Sequence, residues 1–266
     1  ELGRPLKYAL TTQDDIMSRQ VGAWEIGAAV AMGFEIVYEK FFSVDTTDFA
    51  PMATKPDVIS LCEAWPEYQT LLWEQLYLQG YKGVVVQNYA DWETNLTKIP
   101  PEFPAARHAI DSFPLMDDPW WGEYSWQASF TRLWNDRYGP GAPEDVKRKM
   151  TGIDWDHAVW LIPWCIGAQA AGQETPGKWP SNDAILEALR KMPTFPTILG
   201  PGHMSGKEMF GIQNMIEQPV PMNMFDLEAK DKRIVAHLNF EPWYKSIKNV
   251  VLKAVKERGQ HWSQRK

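Results

Sequence analysis

Cysteine is scarce in this 266-residue chain: only Cys62 and Cys165 occur, at a separation that matches no thiol metal site or redox pair. Two buried free thiols are therefore expected, not a disulfide. Histidine is scarce too, with five residues, and no two stand four apart as a helical metal site requires. Long apolar runs are missing; none approaches the roughly 18 residues that span a bilayer. Clustered positive charge is also missing. The net charge of -7 and pI near 5.3 argue against a nucleic-acid partner. The one basic run, Lys245 to Lys266, alternates with apolar residues at helical spacing and reads as a solvated amphipathic helix. Neither a Gly-x-Ser-x-Gly elbow nor a Walker phosphate loop occurs. No signal-peptide pattern opens the chain, as expected for a mature or shortened one.

What is present is an alternation. Short apolar runs at Tyr8-Ala9-Leu10, Glu35 to Tyr38, Asp57 to Leu61 and Val84-Val85-Val86 are separated by segments of helical period. That pattern predicts parallel strands joined by crossover helices, an α/β sheet whose ligand edge lies beyond the strand carboxyl ends. Those ends are Thr11 to Met17, Phe42 to Asp48, Glu63 to Trp65 and Asn88 to Trp92. The first helix is predicted from about Ser18, which caps it, to Met32, with Gly33 as the left-handed stop. A short helix capped by Asp48 is expected before Pro56. Pro66 suits the first turn of the next helix, Glu67 to Gln79, with Leu71, Leu72, Gln75 and Leu78 on neighbouring positions of one face. A partial helix is expected over Asp91 to Phe103.

Beyond Phe113-Pro114 the texture becomes helical and aromatic. Helices are predicted at Trp121 to Tyr138, Trp155 to Ala171 and, capped by Ser181, Asn182 to Lys191. The second is apolar nearly all round, so burial on most sides is expected; Pro163 must kink it or sit near its first turn. Strands are read at Phe195 to Leu199, Met215 to Val220, Met222 to Phe225 and Arg233 to Leu238, with Gly200 to His203 as a turn. Pro242 begins the final helix. Fourteen tryptophans and nine tyrosines suit both core filling and the walls of an apolar site.

The order of these segments resembles the type I periplasmic solute-binding proteins of ABC importers, in the branched-chain amino-acid-binding branch. Lys7 to Leu10 with its polar loop and helix, Asp45-Thr46-Thr47-Asp48-Phe49, Pro56 to Ile59 and Gln79 to Gly83 carry the resemblance. Tyr138-Gly139, Ala170-Ala171-Gly172 and Thr197 to Pro201 continue it. It implies a two-lobed α/β fold of parallel Rossmann-like sheets flanked by helices, N-terminally incomplete, since such proteins carry a further stretch ahead of the segment that resembles Lys7. The implied layout is 1–114 in the second lobe, 115–197 in a return to the first, and 198–266 in a final crossing. An incomplete lobe would expose apolar surface that invites self-association.

The resemblance further implies a non-catalytic, extracytoplasmic receptor that closes on a small-molecule solute and hands it to ABC transporter membrane subunits, without cofactor or metal. Its site residues carry over to Asp15, Met17, Trp65, Tyr89 and Trp155. Two readings fit the three aromatics: an aromatic wall or ordinary core. Tyr89 takes the place where amino-acid binders put an acidic residue for the ligand ammonium. An aromatic or aliphatic acid therefore ranks ahead of an α-amino acid, whose buried ammonium would need an anion. Asp14, Asp15 or Asp91 could supply one, and the aromatics could hold a quaternary ammonium. Asp154-x-Asp156-His157 reads as a helix N-cap, not a metal or catalytic site. Rival readings are a cytoplasmic ligand sensor of the same fold and an enzyme using Asp14, Asp15, Asp156 and His157.

Overall fold

The computed structural model describes residues 3–43, 45–48, 56–62, 66–87, 110–111, 125–148, 152–174, 176–226 and 231–264. By its contacts the chain divides into two compact units: Glu1–Ser112 with Met222–Val235 and Pro242–Lys266, and Phe113–Pro221 with Ala236–Glu241.

The first unit is built on a seven-stranded sheet. Its strands are β1 (Lys7–Gln13), β2 (Glu35–Phe42), β3 (Val58–Leu61), β4 (Val84–Gln87), β5 (Ile110–Asp111), β9 (Pro219–Asp226) and β10 (Asp231–Asn239), in the order β10-β9-β5-β4-β3-β1-β2. β1 through β5 run parallel and β9 joins antiparallel to β5. All four apolar runs are strands, as their pattern predicts. Thr11 to Gln13, read as a polar turn, instead extend β1, and all three side chains are buried. Parallel strands are covered on both faces, so polarity in the sequence does not mark where one ends.

Helix α1 (Ile16–Ala31) leads from β1 to β2 on one side, and α2 (Pro66–Leu78) leads from β3 to β4 on the other side of β1. Right-handed crossovers in opposite directions put the two helices on opposite faces. Tyr8, Leu10, Val58 and Cys62 accordingly pack with Ile26 and Ala29 of α1, whereas Trp73 of α2 bonds Gln87. Gly33 ends α1 at φ 86, and the N–H groups of Gly33 and Phe34 reach back to Val30 and Ala29 in a Schellman closure. α2 begins at Pro66, but its inner face is Gln69, Leu72, Trp73 and Leu76 at i, i+3, i+4 and i+7, and Leu78 is exposed. The predicted face was turned because the volume of Trp73, not the count of leucines, decides which side is filled.

At the amino end of the sheet, Asp57 accepts hydrogen bonds from both Arg4 guanidinium nitrogens, at 2.7 and 2.9 Å, and from the Lys7 N–H at 2.7 Å. The Arg4 bonds, then the Lys7 bond, hold its carboxyl at a pKa of about 2, below its ordinary 3.8. A carboxyl depressed by folding stabilises the native state above its unfolded pKa and loses that contribution as pH falls towards the folded value. Urea unfolding at pH 5 and pH 2.5 should therefore show a larger acid loss for the wild type than for Asp57→Asn. Equal losses would refute the linkage.

The second unit holds α3 (Ser125–Tyr138), α4 (Gly152–Glu174), α5 (Asn182–Lys191) and a three-stranded antiparallel sheet of β6 (Phe195–Thr197), β7 (Gly200–Ser205) and β8 (Met215–Glu217). A short helix, α6 (Lys207–Phe210), lies between β7 and β8. The segment read as a turn, Gly200 to His203, is strand β7. The turn is Ile198-Leu199, held where Thr197 Oγ1 donates to the Gly200 carbonyl at 2.7 Å and accepts the Leu199 N–H at 3.1 Å. Glycine and proline misled the reading because this hairpin pairs Pro196 with Pro201. Since β7 bonds to β6 and β8 bonds to β7, residues 198–221 stay by their contacts in this unit, and the return to the first comes at Met222, not at 198.

α4 starts at Gly152, so Asp154 and Asp156 lie inside its first turns and neither is the N-cap. Pro163 sits in mid-helix. Its buried positions Ala158, Val159, Pro163, Gly167 and Ala171 form one stripe, against α5 among other elements, while Trp160, Leu161, Trp164 and Cys165 are exposed. The expected burial of this helix on most sides, and of Cys165, is thus corrected: a largely apolar helix still buries only the faces that neighbours cover. Ser181 caps α5 as predicted, accepting the Ala184 N–H. The final helix, α7 (Phe240–Glu257), starts two residues before Pro242 and packs in the first unit on α1, where a Cβ on Gly27 would lie 3.0 Å from the Val251 Cα. No helix among the described residues is long and apolar enough to cross a membrane.

Candidate functional site

In the seven-stranded sheet the direction of chain progression reverses between β1 and β3, which makes their carboxyl ends the topological switch point. Open α/β sheets leave a ligand crevice there, because the two crossover connections depart to opposite faces. The end of β1 supplies Thr12 and Gln13, followed by the exposed residues Asp14 to Met17. The end of β3 supplies Leu61 and Cys62, and the end of β4 supplies Gln87, paired with Leu61.

This edge holds buried polar groups. Thr12 Oγ1, Gln13 Oε1 and Gln87 Nε2 are all buried and have no hydrogen-bond partner among the described residues. The Gln87 amide has a fixed sense. Trp73 Nε1 is a donor only and lies 2.8 Å from Gln87 Oε1, so the NH2 group must be the end left over. Orphan buried polar groups cost about 1–3 kcal/mol each, and a fold that retains several at one edge has a use for them or a partner to come.

Asp15 is not a free anion. It is the N-cap of α1, taking the Ser18 N–H on Oδ1 at 2.8 Å and the Ser18 hydroxyl on Oδ2 at 2.7 Å. Burial raises its pKa, but the bonds from Ser18 and from the Met17 N–H outweigh that and leave it below the ordinary carboxylate range. Ser18, read as the cap, is instead the third helical residue and is buried; the Asp-x-x-Ser spacing satisfies the cap better than a serine placed a turn too late. Asp14 pairs with Arg19. Ile16 and Met17 are 81% and 59% exposed, high for apolar residues at the mouth of a sheet edge.

Of the sequence-derived site residues, Asp15 and Met17 therefore stand together at the carboxyl end of β1. Trp65 and Tyr89 lie outside the described residues, as do residues 49–55 and the expected partial helix at 91–103. Trp155 occupies α4 in the second unit, with its side chain outside the described set. Asp14 and Asp15 belong to the first unit, Asp156 and His157 to the second. The site residues read from the sequence did not include Thr12, Gln13, Gln87 or Trp73, although Thr12 and Gln13 lie in the strand end Thr11 to Met17. The available signal was the polar residues that end the apolar runs of β1 and β4.

No protein-family model matches the chain, and no curated protein does. Solved structures do. A solute-binding protein of an ABC transporter from Rhodopseudomonas palustris, solved with 4-hydroxybenzoate, is 14% identical with a TM-score of 0.60, over 91% of this chain and 63% of that one. An extracellular ligand-binding receptor from the same species gives 17% identity and 0.62, over 87% and 64%. A leucine-, isoleucine-, valine-, threonine- and alanine-binding protein from Brucella ovis in its closed conformation gives 14% and 0.63, over 89% and 58%. The chain spans about three fifths of the length of the solved chains it matches. The fold expected from the sequence is the fold observed: the chain carries the α/β fold of the type I periplasmic binding proteins, over about three fifths of such a protein's length.

Proposed function

We propose that this chain is part of an extracytoplasmic solute-binding receptor that closes on a small organic solute and presents it to the membrane subunits of an ABC importer, without catalysing a reaction. The observation that carries the reading is the edge at the β1/β3 switch point, where Thr12, Gln13 and Gln87 keep buried polar atoms without partners among the described residues. One similar protein was solved in complex with 4-hydroxybenzoate and another is named as binding leucine, isoleucine, valine, threonine and alanine, which supports a small organic solute. Asp15, Met17, Trp65, Tyr89 and Trp155 are the proposed contacts.

The chemistry of the edge favours an acid. The Gln87 NH2 is a donor held in place by Trp73, suited to a carboxylate or hydroxyl oxygen. The nearest described carboxylates are engaged, Asp15 in capping α1 and Asp14 with Arg19, so neither is set up to receive an ammonium. The test is a thermal-shift screen of the full-length protein against aromatic acids, aliphatic acids, α-amino acids and quaternary amines. Aromatic or aliphatic acids should raise the melting temperature by several degrees at saturating concentration. Shifts confined to α-amino acids would overturn the ranking, and none with any class would overturn the receptor.

A further inference from the structure

We propose that the second unit carries a divalent transition-metal site of the zinc class, formed by His203, Glu217 and Glu241. The three residues come from three elements, β7, the end of β8 and the first turn of α7, and all belong by their contacts to the same unit. Their ligand atoms lie within 4.8 Å of one another. His203 and Glu217 are register partners across the β7–β8 ladder, so the antiparallel pairing itself projects imidazole and carboxylate side by side, with Nε2 and Oε2 3.6 Å apart. Ligands at about 2.1 Å from a tetrahedral zinc stand about 3.4 Å from one another, which is nearly that spacing.

The Glu217 side chain is only 11% exposed, and Glu241 brings a second carboxylate beside it. One imidazole with two carboxylates and no thiolate suits zinc and its neighbours, and leaves a fourth position for water. Calcium and magnesium prefer all-oxygen shells with more ligands. No short motif announces the site, since its members are 14 and 24 residues apart in sequence.

The test is calorimetric titration of chelator-treated, tag-free protein with zinc chloride, repeated with calcium and magnesium. One equivalent of zinc should bind. His203→Ala and Glu241→Gln, each checked for retained secondary structure by circular dichroism, should each weaken it at least tenfold. Glu241 is partly exposed in a first helical turn, so Glu241→Gln keeps the test valid if His203→Ala fails to fold. The proposal is overturned if wild-type protein takes up no zinc, if a folded variant binds it as the wild type does, or if calcium or magnesium binds as tightly. The outcome is independent of the solute screen, because neither β7 nor β8 contributes to the switch-point edge.

Discussion

Trp73→Ala should lower the stability of the protein by about 3–5 kcal/mol, the range for removing a large aromatic from a close-packed interior. Trp73 is fully buried, the largest side chain so enclosed among the described residues, and belongs to the inner stripe of α2 with Gln69, Leu72 and Leu76. Its indole N–H also bonds Gln87 Oε1, so truncation leaves that amide with neither end satisfied among the described residues, where Nε2 already lacks a partner. Trp73→Phe separates the two effects. The ring keeps much of the volume but cannot donate, and should cost about 1–3 kcal/mol, that of an unmade buried hydrogen bond. Urea unfolding followed by far-ultraviolet circular dichroism measures both; with 14 tryptophans, fluorescence would not isolate this one. If Trp73→Phe costs as much as Trp73→Ala, packing is not what Trp73 contributes.

Gly83→Ala should cost at least about 3 kcal/mol, the upper end of ordinary overpacking, because what a Cβ meets here includes backbone. A methyl group at Gly83 would collide with the Tyr81 hydroxyl and with the Asp57 carbonyl. That carbonyl already accepts the Val84 N–H at 2.9 Å, the first bond between β3 and β4, and the Tyr81 hydroxyl is shared between the Asp57 and Val84 carbonyls at 3.3 and 3.1 Å. Making room therefore means separating two strands at the centre of the sheet. A double substitution, Gly83→Ala with Tyr81→Phe, should recover only part of the loss, because it removes the hydroxyl collision and leaves the carbonyl one. Full recovery would show that the strands can yield and that the backbone contact is not limiting. Gly83 has ordinary backbone angles, so its requirement is space, not a left-handed conformation.

These two positions also show what could be read in advance. Gly83 belonged to the Gln79 to Gly83 segment that carried the resemblance, yet nothing in one sequence says that the glycine serves a three-way contact among Tyr81, Asp57 and Val84. The strands β1 to β4 were legible because each is a short apolar run between helical segments, a pattern set by burial on both faces. Asp15 as the cap was not, since Asp15 and Ser18 both have capping chemistry and only the path of the chain chooses between them. The hairpin of β6 and β7 was hidden behind its own glycines and prolines. At the candidate site, Asp15 and Met17 came from the resemblance, whereas Gln13 and Gln87 became notable only when burial left an amide atom of each without a partner among the described residues.

The sequence by itself determined the alternation of strand and helix, and with it the parallel sheet, because periodicity and the spacing of apolar residues are local properties of the chain. It also determined the absence of basic clusters and thiol motifs, which argued against a nucleic-acid partner and a thiol metal or redox site before any coordinates. Tertiary structure alone decided which strand lies beside which, and hence where the switch point falls. It decided that residues 198–221 stay with the second unit, that α4 buries one stripe of an all-apolar surface, and that His203, Glu217 and Glu241 meet. Those outcomes depend on pairings between residues far apart in the chain, whose energies exist only once the backbone has brought them together.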